Sequence, residues 1–87
     1  MTSTRISCYV YRGKRRSDNY LFVPKKDEFS SVPEALMRML GGVQFAMELE
    51  LWPERPMAQV SASEVMRHLQ QQGFYLQLAR DRLETKM

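Results

Sequence analysis

The sequence predicts an α+β domain resembling a helix-and-sheet sandwich, with two main helices packed on a small mixed sheet of four to five strands. Three observations carry that prediction. Short runs of β-branched and aromatic residues recur between polar turns, two segments repeat their apolar residues at helical spacing, and the 87-residue length allows one core but not two. The expected order is strand, strand, helix, strand, an optional short strand, helix, strand. The domain should run from residue 5 to residue 78, with residues 1–4 frayed and residues 79–87 a charged C-terminal tail.

The first strand is Ile6-Ser7-Cys8-Tyr9-Val10-Tyr11. Alternation points Ile6, Cys8 and Val10 one way and Ser7, Tyr9 and Tyr11 the other. Neither set is hydrophilic, so this strand is expected inside the sheet with material on both faces. Tyr20-Leu21-Phe22-Val23 repeats the composition and stops at Pro24, which has no N–H for a ladder. Between them, Gly13, Ser17, Asp18 and Asn19 are turn formers, and Arg12, Lys14, Arg15 and Arg16 put four cations within five positions.

A polar connection anchored by Phe29 leads to a helix whose expected cap is Ser31, with Glu34 three residues on as its capping-box partner and Pro33 in the first turn. Ala35, Leu36, Met39 and Leu40 form its stripe, and Gly41-Gly42 ends it. Phe45-Ala46-Met47-Glu48-Leu49-Glu50-Leu51 alternates cleanly. It should put Phe45, Met47, Leu49 and Leu51 on one face and Ala46, Glu48 and Glu50 on a wet one. Two prolines then make a turn, and Met57-Ala58-Gln59-Val60 is the optional edge strand. Ser61 and Glu64 form a second capping box, with Val60 and Val65 placed as a hydrophobic staple. Ala62, Val65, Met66 and Leu69 form the buried stripe of this second helix, and Gly73 stops it before a last strand at Tyr75-Leu76-Gln77-Leu78. A strand, a helix and a further strand in succession suggest at least one parallel pairing.

Composition narrows the function classes. One cysteine, Cys8, excludes an internal disulfide, and one histidine, His68, excludes a Cys/His zinc set. No signal-peptide core and no run of about 18 apolar residues is present, so a cytoplasmic protein without membrane association is expected. Residues 1–26 hold seven cations against Asp18, a net of +6, while the remainder holds six cations and nine anions, a net of −3. Such a dipolar chain suits a polyanion or an acidic partner at its basic end.

Cys8-Tyr9-Val10-Tyr11-Arg12, Tyr20-Leu21-Phe22-Val23, Asp27-Glu28-Phe29, Val32-Pro33, Leu36 and Gly73-Phe74-Tyr75-Leu76-Gln77-Leu78 together resemble the YcgL domain family of small bacterial proteins. The likeness spans residues 6 to 78. It departs from the family after the last strand, where Ala79-Arg80-Asp81-Arg82 stands in place of a proline-rich stretch. The resemblance implies a compact sandwich of helices and sheet in a gammaproteobacterial cytosolic protein. It implies no activity and carries over no catalytic residue.

No catalytic constellation stands out, so a non-enzymatic binding module without metal or cofactor is expected. Cys8, on the core face of a strand, reads as inert packing, His68 as a boundary residue, and Glu48 with Glu50 as a solubilising pair. The leading expectation is RNA or ribonucleoprotein association through Arg12, Lys14, Arg15 and Arg16, joined by Lys25 and Lys26, with Tyr9, Tyr11 and Tyr20 as stacking surfaces. The competing reading makes the cations a solvated turn and the tyrosines strand formers beneath a helix. The alternative function is a protein–protein adaptor that uses Trp52 and nearby apolar surface. Oligomeric state is not indicated by the sequence.

Overall fold

The computed structural model describes residues 5–15, 19–57 and 60–78. Six elements follow in order: β1 (Ile6–Gly13), β2 (Tyr20–Val23), α1 (Glu34–Leu40), β3 (Val43–Leu51), α2 (Ala62–Gln72) and β4 (Tyr75–Gln77). The strands form one sheet in the order β3-β1-β2-β4. The α+β class and the helix-and-sheet sandwich are therefore as the sequence predicts. The proposed extra strand at residues 57–60 falls partly outside the described residues, at Ala58 and Gln59, and Met57 and Val60 lie in no strand.

Each face of the sheet carries its own core, as the two-sided apolar pattern of β1 requires. On one face Cys8, Val10, Phe22 and Leu51 meet Ala62, Val65, Met66 and Leu69 of α2. On the other, Tyr11, Leu21 and Val23 meet Val32 and Leu40, with Leu36, Met37 and Met39 of α1 packed against them. Leu21, Leu40, Leu51, Val23 and Val65 are fully enclosed. Each such side chain contributes roughly 1.5–3 kcal/mol relative to exposure.

The expected parallel pairing is corrected: β1–β2, β1–β3 and β2–β4 are all antiparallel. β2 and β3 do run in the same direction, but β1 lies between them. β1 already uses both of its edges, so the chain leaving β3 crosses the face through α2 and adds β4 at the far edge, against β2.

β3 supplies a second correction. Its register steps from Val10↔Met47 to Tyr11↔Phe45, two residues of β3 for one of β1, which makes Ala46 the extra residue of a bulge. The bulge breaks the alternation. Met47, Leu49 and Leu51 stay on the α2 side with Cys8 and Val10, while Phe45 turns to the α1 side, where its ring meets Tyr11 edge-on at 5.5 Å.

The helix starts divide. Ser61 caps α2 by accepting from the Glu64 N–H at 3.2 Å, and Gly73 ends that helix in the left-handed region at φ 87. α1 instead begins at Glu34 with Pro33 as its cap residue and no side-chain cap. Ser31 is not a cap because Val32, buried, turns back to the Phe29 carbonyl at 3.0 Å before the helix begins. No helix among the described residues is long and apolar enough to cross a membrane.

Candidate nucleic-acid interface

β1 runs two residues past its last core tyrosine, into Arg12 and Gly13, and the basic turn follows. The Gly13 N–H donates to the Asn19 carbonyl at 3.1 Å and closes the hairpin. Two further bonds tie the turn to the end of α1: Lys14 N–H to Gly42 O at 3.0 Å and Arg15 N–H to Leu40 O at 2.8 Å. The contact is close enough that a Cβ on Gly41, which sits at φ 71, would lie 2.6 Å from Arg15 Cβ. Arg15 thereby stands beside the helix's negative pole, where a cation is favoured. Gly13, Lys14 and Arg15 are thus braced by backbone hydrogen bonds at the hairpin base and the end of α1.

Arg12, Lys14 and Arg15 are exposed. The ion pairs among the described residues are Arg5–Glu50, Arg38–Glu34 and Arg67–Glu64, and none involves these three cations or Lys25 and Lys26. Arg16 lies outside the described residues.

The register brings a second set of residues to the same end of the sheet. Arg12 lies opposite Gln44 on β3 and Tyr20 on β2, and Tyr20 lies opposite Gln77 on β4. A row of Gln44, Arg12, Tyr20 and Gln77 therefore crosses all four strands on the α2 side. Gln44 and Arg12 are exposed, and Tyr20 and Gln77 are half-buried. Gln44 and Gln77 carry no signal in the sequence, because only strand register makes them neighbours of Arg12 and Tyr20.

The expected site set is thus split between the two faces. Tyr9 and Tyr11 point to the α1 side. Tyr11 is 2% exposed and its ring meets Phe29 edge-on at 4.9 Å, so it belongs to the core and offers no stacking surface. Tyr9 is half-buried against the same cluster. Lys25 and Lys26, both exposed, belong to the loop that covers this α1 side: Lys26 Nζ rests 4.8 Å above the Phe45 ring, and Asp27 reaches the Tyr11 hydroxyl. Of the three tyrosines expected at the site, only Tyr20 shares a face with Arg12.

Trp52 stands at the opposite end of β3. It is half-buried, with the guanidinium carbons of Arg5 and Arg55 at 4.4 and 5.2 Å from its ring centre. Glu50 holds both arginines, Arg5 through its carboxylate at 3.7 Å and Arg55 through its carbonyl at 3.1 Å. Elsewhere, Cys8 is fully buried, and burial pushes its thiol up to about 12 despite the opposing charge of Arg55. His68 bonds the Glu64 carbonyl through Nδ1 at 2.9 Å and lies 5.1 Å from the Tyr75 ring, a contact set that orients the imidazole on the helix.

Comparison with known proteins points to one group. A family model described as the YcgL domain matches residues 8–80. A YcgL domain-containing protein of Pectobacterium carotovorum is 46% identical over 71 residues, covering 82% of this chain and 84% of that one. "Protein YcgL" of Salmonella paratyphi A is 43% identical over 76 residues, covering 87% of this chain and 69% of its own. A Nitrosococcus oceani protein named "Putative HAD-like hydrolase" is 47% identical over 76 residues, and there the match covers 87% of this chain but only 20% of the relative.

Proposed function

The chain belongs to the YcgL domain family, and we propose that it acts as a non-enzymatic, cytoplasmic binding module that takes RNA through the basic turn. The observation that supports this reading is the state of Arg12, Lys14 and Arg15. They are exposed at one end of the sheet, lie in no ion pair with a described residue, and stand on or beside backbone braced by three hydrogen bonds. Cations held on a fixed backbone neutralise phosphates without first paying to order the loop. The hydrolase name of the Nitrosococcus oceani relative describes a chain five times the matched segment, which suits an accessory role for a domain of this kind.

The test is fluorescence anisotropy with labelled RNA across a salt series, comparing the wild type with a variant carrying Arg12→Ser, Lys14→Ser and Arg15→Ser. The wild type should bind with log K falling by about 0.7 per neutralised phosphate for each unit of log salt on a single strand. The variant should lose both affinity and slope. Binding that ignores salt, or that the triple variant retains, sinks the reading.

A further inference from the structure

The geometry points to a narrower ligand for this end of the sheet: single-stranded nucleic acid, with one unpaired base stacked on Tyr20 while Arg12, Lys14 and Arg15 hold the flanking phosphates. The inference rests on the nucleic-acid reading above and adds what the bases do.

Three observations carry it. The fully buried part of the α2-side core ends at Val10 and Phe22, and the next row outward is Arg12, exposed, and Tyr20, half-buried and packed against the edge of that core. The ring is placed in advance, because it packs against the edge of the α2-side core and follows Asn19, which is 6% exposed and accepts the hairpin-closing bond from Gly13. Tyr20 is also the cross-strand partner of Arg12, whose other partner is Gln44. An aromatic ring beside a guanidinium and a carboxamide combines a stacking surface, a phosphate contact, and a donor and acceptor for a base edge.

The charge decides the kind of occupant. Arg12 lies within the row, and Lys14 and Arg15 continue from the same strand end, none of them matched by a described carboxylate. An apolar or cationic peptide would leave those charges unanswered, whereas a sugar-phosphate backbone answers them while delivering a flat base. A duplex answers the charges but keeps its bases stacked inside, out of reach of a ring on a sheet.

The experiment measures anisotropy with the whole chain and two labelled RNAs of equal nucleotide and phosphate number, one unstructured and one folded on itself as a hairpin duplex, at a single salt concentration. Tyr20→Leu, Tyr20→Phe and Gln44→Ala are measured beside the wild type. The single strand should bind at least about fivefold tighter than the duplex, and Tyr20→Leu should weaken it by roughly 5- to 150-fold, the factor one stacked base contributes. Tyr20→Phe should match the wild type, and the exposed Gln44→Ala should cost roughly two- to tenfold, the range for one hydrogen bond. Circular dichroism checks folding, and the strand-to-duplex ratio of the wild type needs no variant. Equal binding of the two RNAs, or a folded Tyr20→Leu at wild-type affinity, overturns the stacking inference and leaves the cationic site standing. Failure of the wild type to bind either RNA overturns both.

Discussion

Tyr11 and Asp27 grip each other twice. The phenol donates to Asp27 Oδ1 at 3.0 Å and accepts from the Asp27 N–H at 2.7 Å, while Asp27 occupies the left-handed region at φ 61. This pair pins the loop after β2 across the α1 side of the sheet and completes the enclosure of Tyr11. Replacing Tyr11 with Phe keeps the ring and removes both bonds, so stability should fall by about 1–2 kcal/mol. Urea denaturation measures this, and RNA affinity should not change. Undiminished stability would show that the two bonds do not hold the loop.

Cys8 should be silent towards thiol reagents in the native state. It is fully enclosed, and burial raises its thiol from 9.0 to about 12. A folded-state value above the unfolded one means a contribution to stability that is complete below pH 9 and is lost as pH rises from 9 to about 12. Burial also raises the Tyr11 hydroxyl, in the same sense and at the alkaline end. Labelling with a chromogenic disulfide at pH 8 should proceed only at the rate of unfolding. Rapid labelling in native buffer would contradict the enclosure.

Gly41 and Gly42 should differ in what a methyl group does. Both have positive φ, 71 and 86, so alanine costs roughly 1 kcal/mol of backbone strain at either position. At Gly41 the new Cβ also meets Arg15 Cβ at 2.6 Å, whereas at Gly42 the nearest side-chain atom is Lys14 Cδ at 3.7 Å. Gly41→Ala should therefore lower the melting temperature further and displace the basic turn, weakening RNA binding. Gly42→Ala should keep the affinity. Equal effects on both readouts would deny that the turn is braced on the end of α1.

Two serines with the same local motif should behave differently. Ser61→Ala removes a cap and should cost about 1 kcal/mol. Ser31 makes no cap bond to α1, and its hydroxyl instead lies against Gly73. Ser31→Ala should cost only a few tenths of a kcal/mol, as for surface changes away from a cap. Thermal melts of the two variants decide it, and equal losses would return Ser31 to a capping role.

The difference between the two serines marks a limit of local motifs. Ser61-x-x-Glu64 caps because Ala62, Val65, Met66 and Leu69 follow immediately as a stripe that packs on the sheet. Ser31-x-x-Glu34 fails because buried Val32 is needed by the α1-side core and sets the chain direction first. Competition for burial overrides a hydrogen bond of about 1 kcal/mol.

Local chemistry in the sequence determined the six elements, the two glycine helix ends, a central β1 with both faces occupied, and the place of the cations at a hairpin turn. These follow from alternation, helical spacing and backbone preference, which act over a few residues. Tertiary structure decided the rest. The all-antiparallel order arises because β1 has only two edges to give, and the Ala46 bulge sends Phe45 to the α1 side. Register alone brings Gln44 and Tyr20 beside Arg12, and the α1-side core encloses Tyr11. Each outcome depends on which distant segments share a face, and that is set by burying two cores at once.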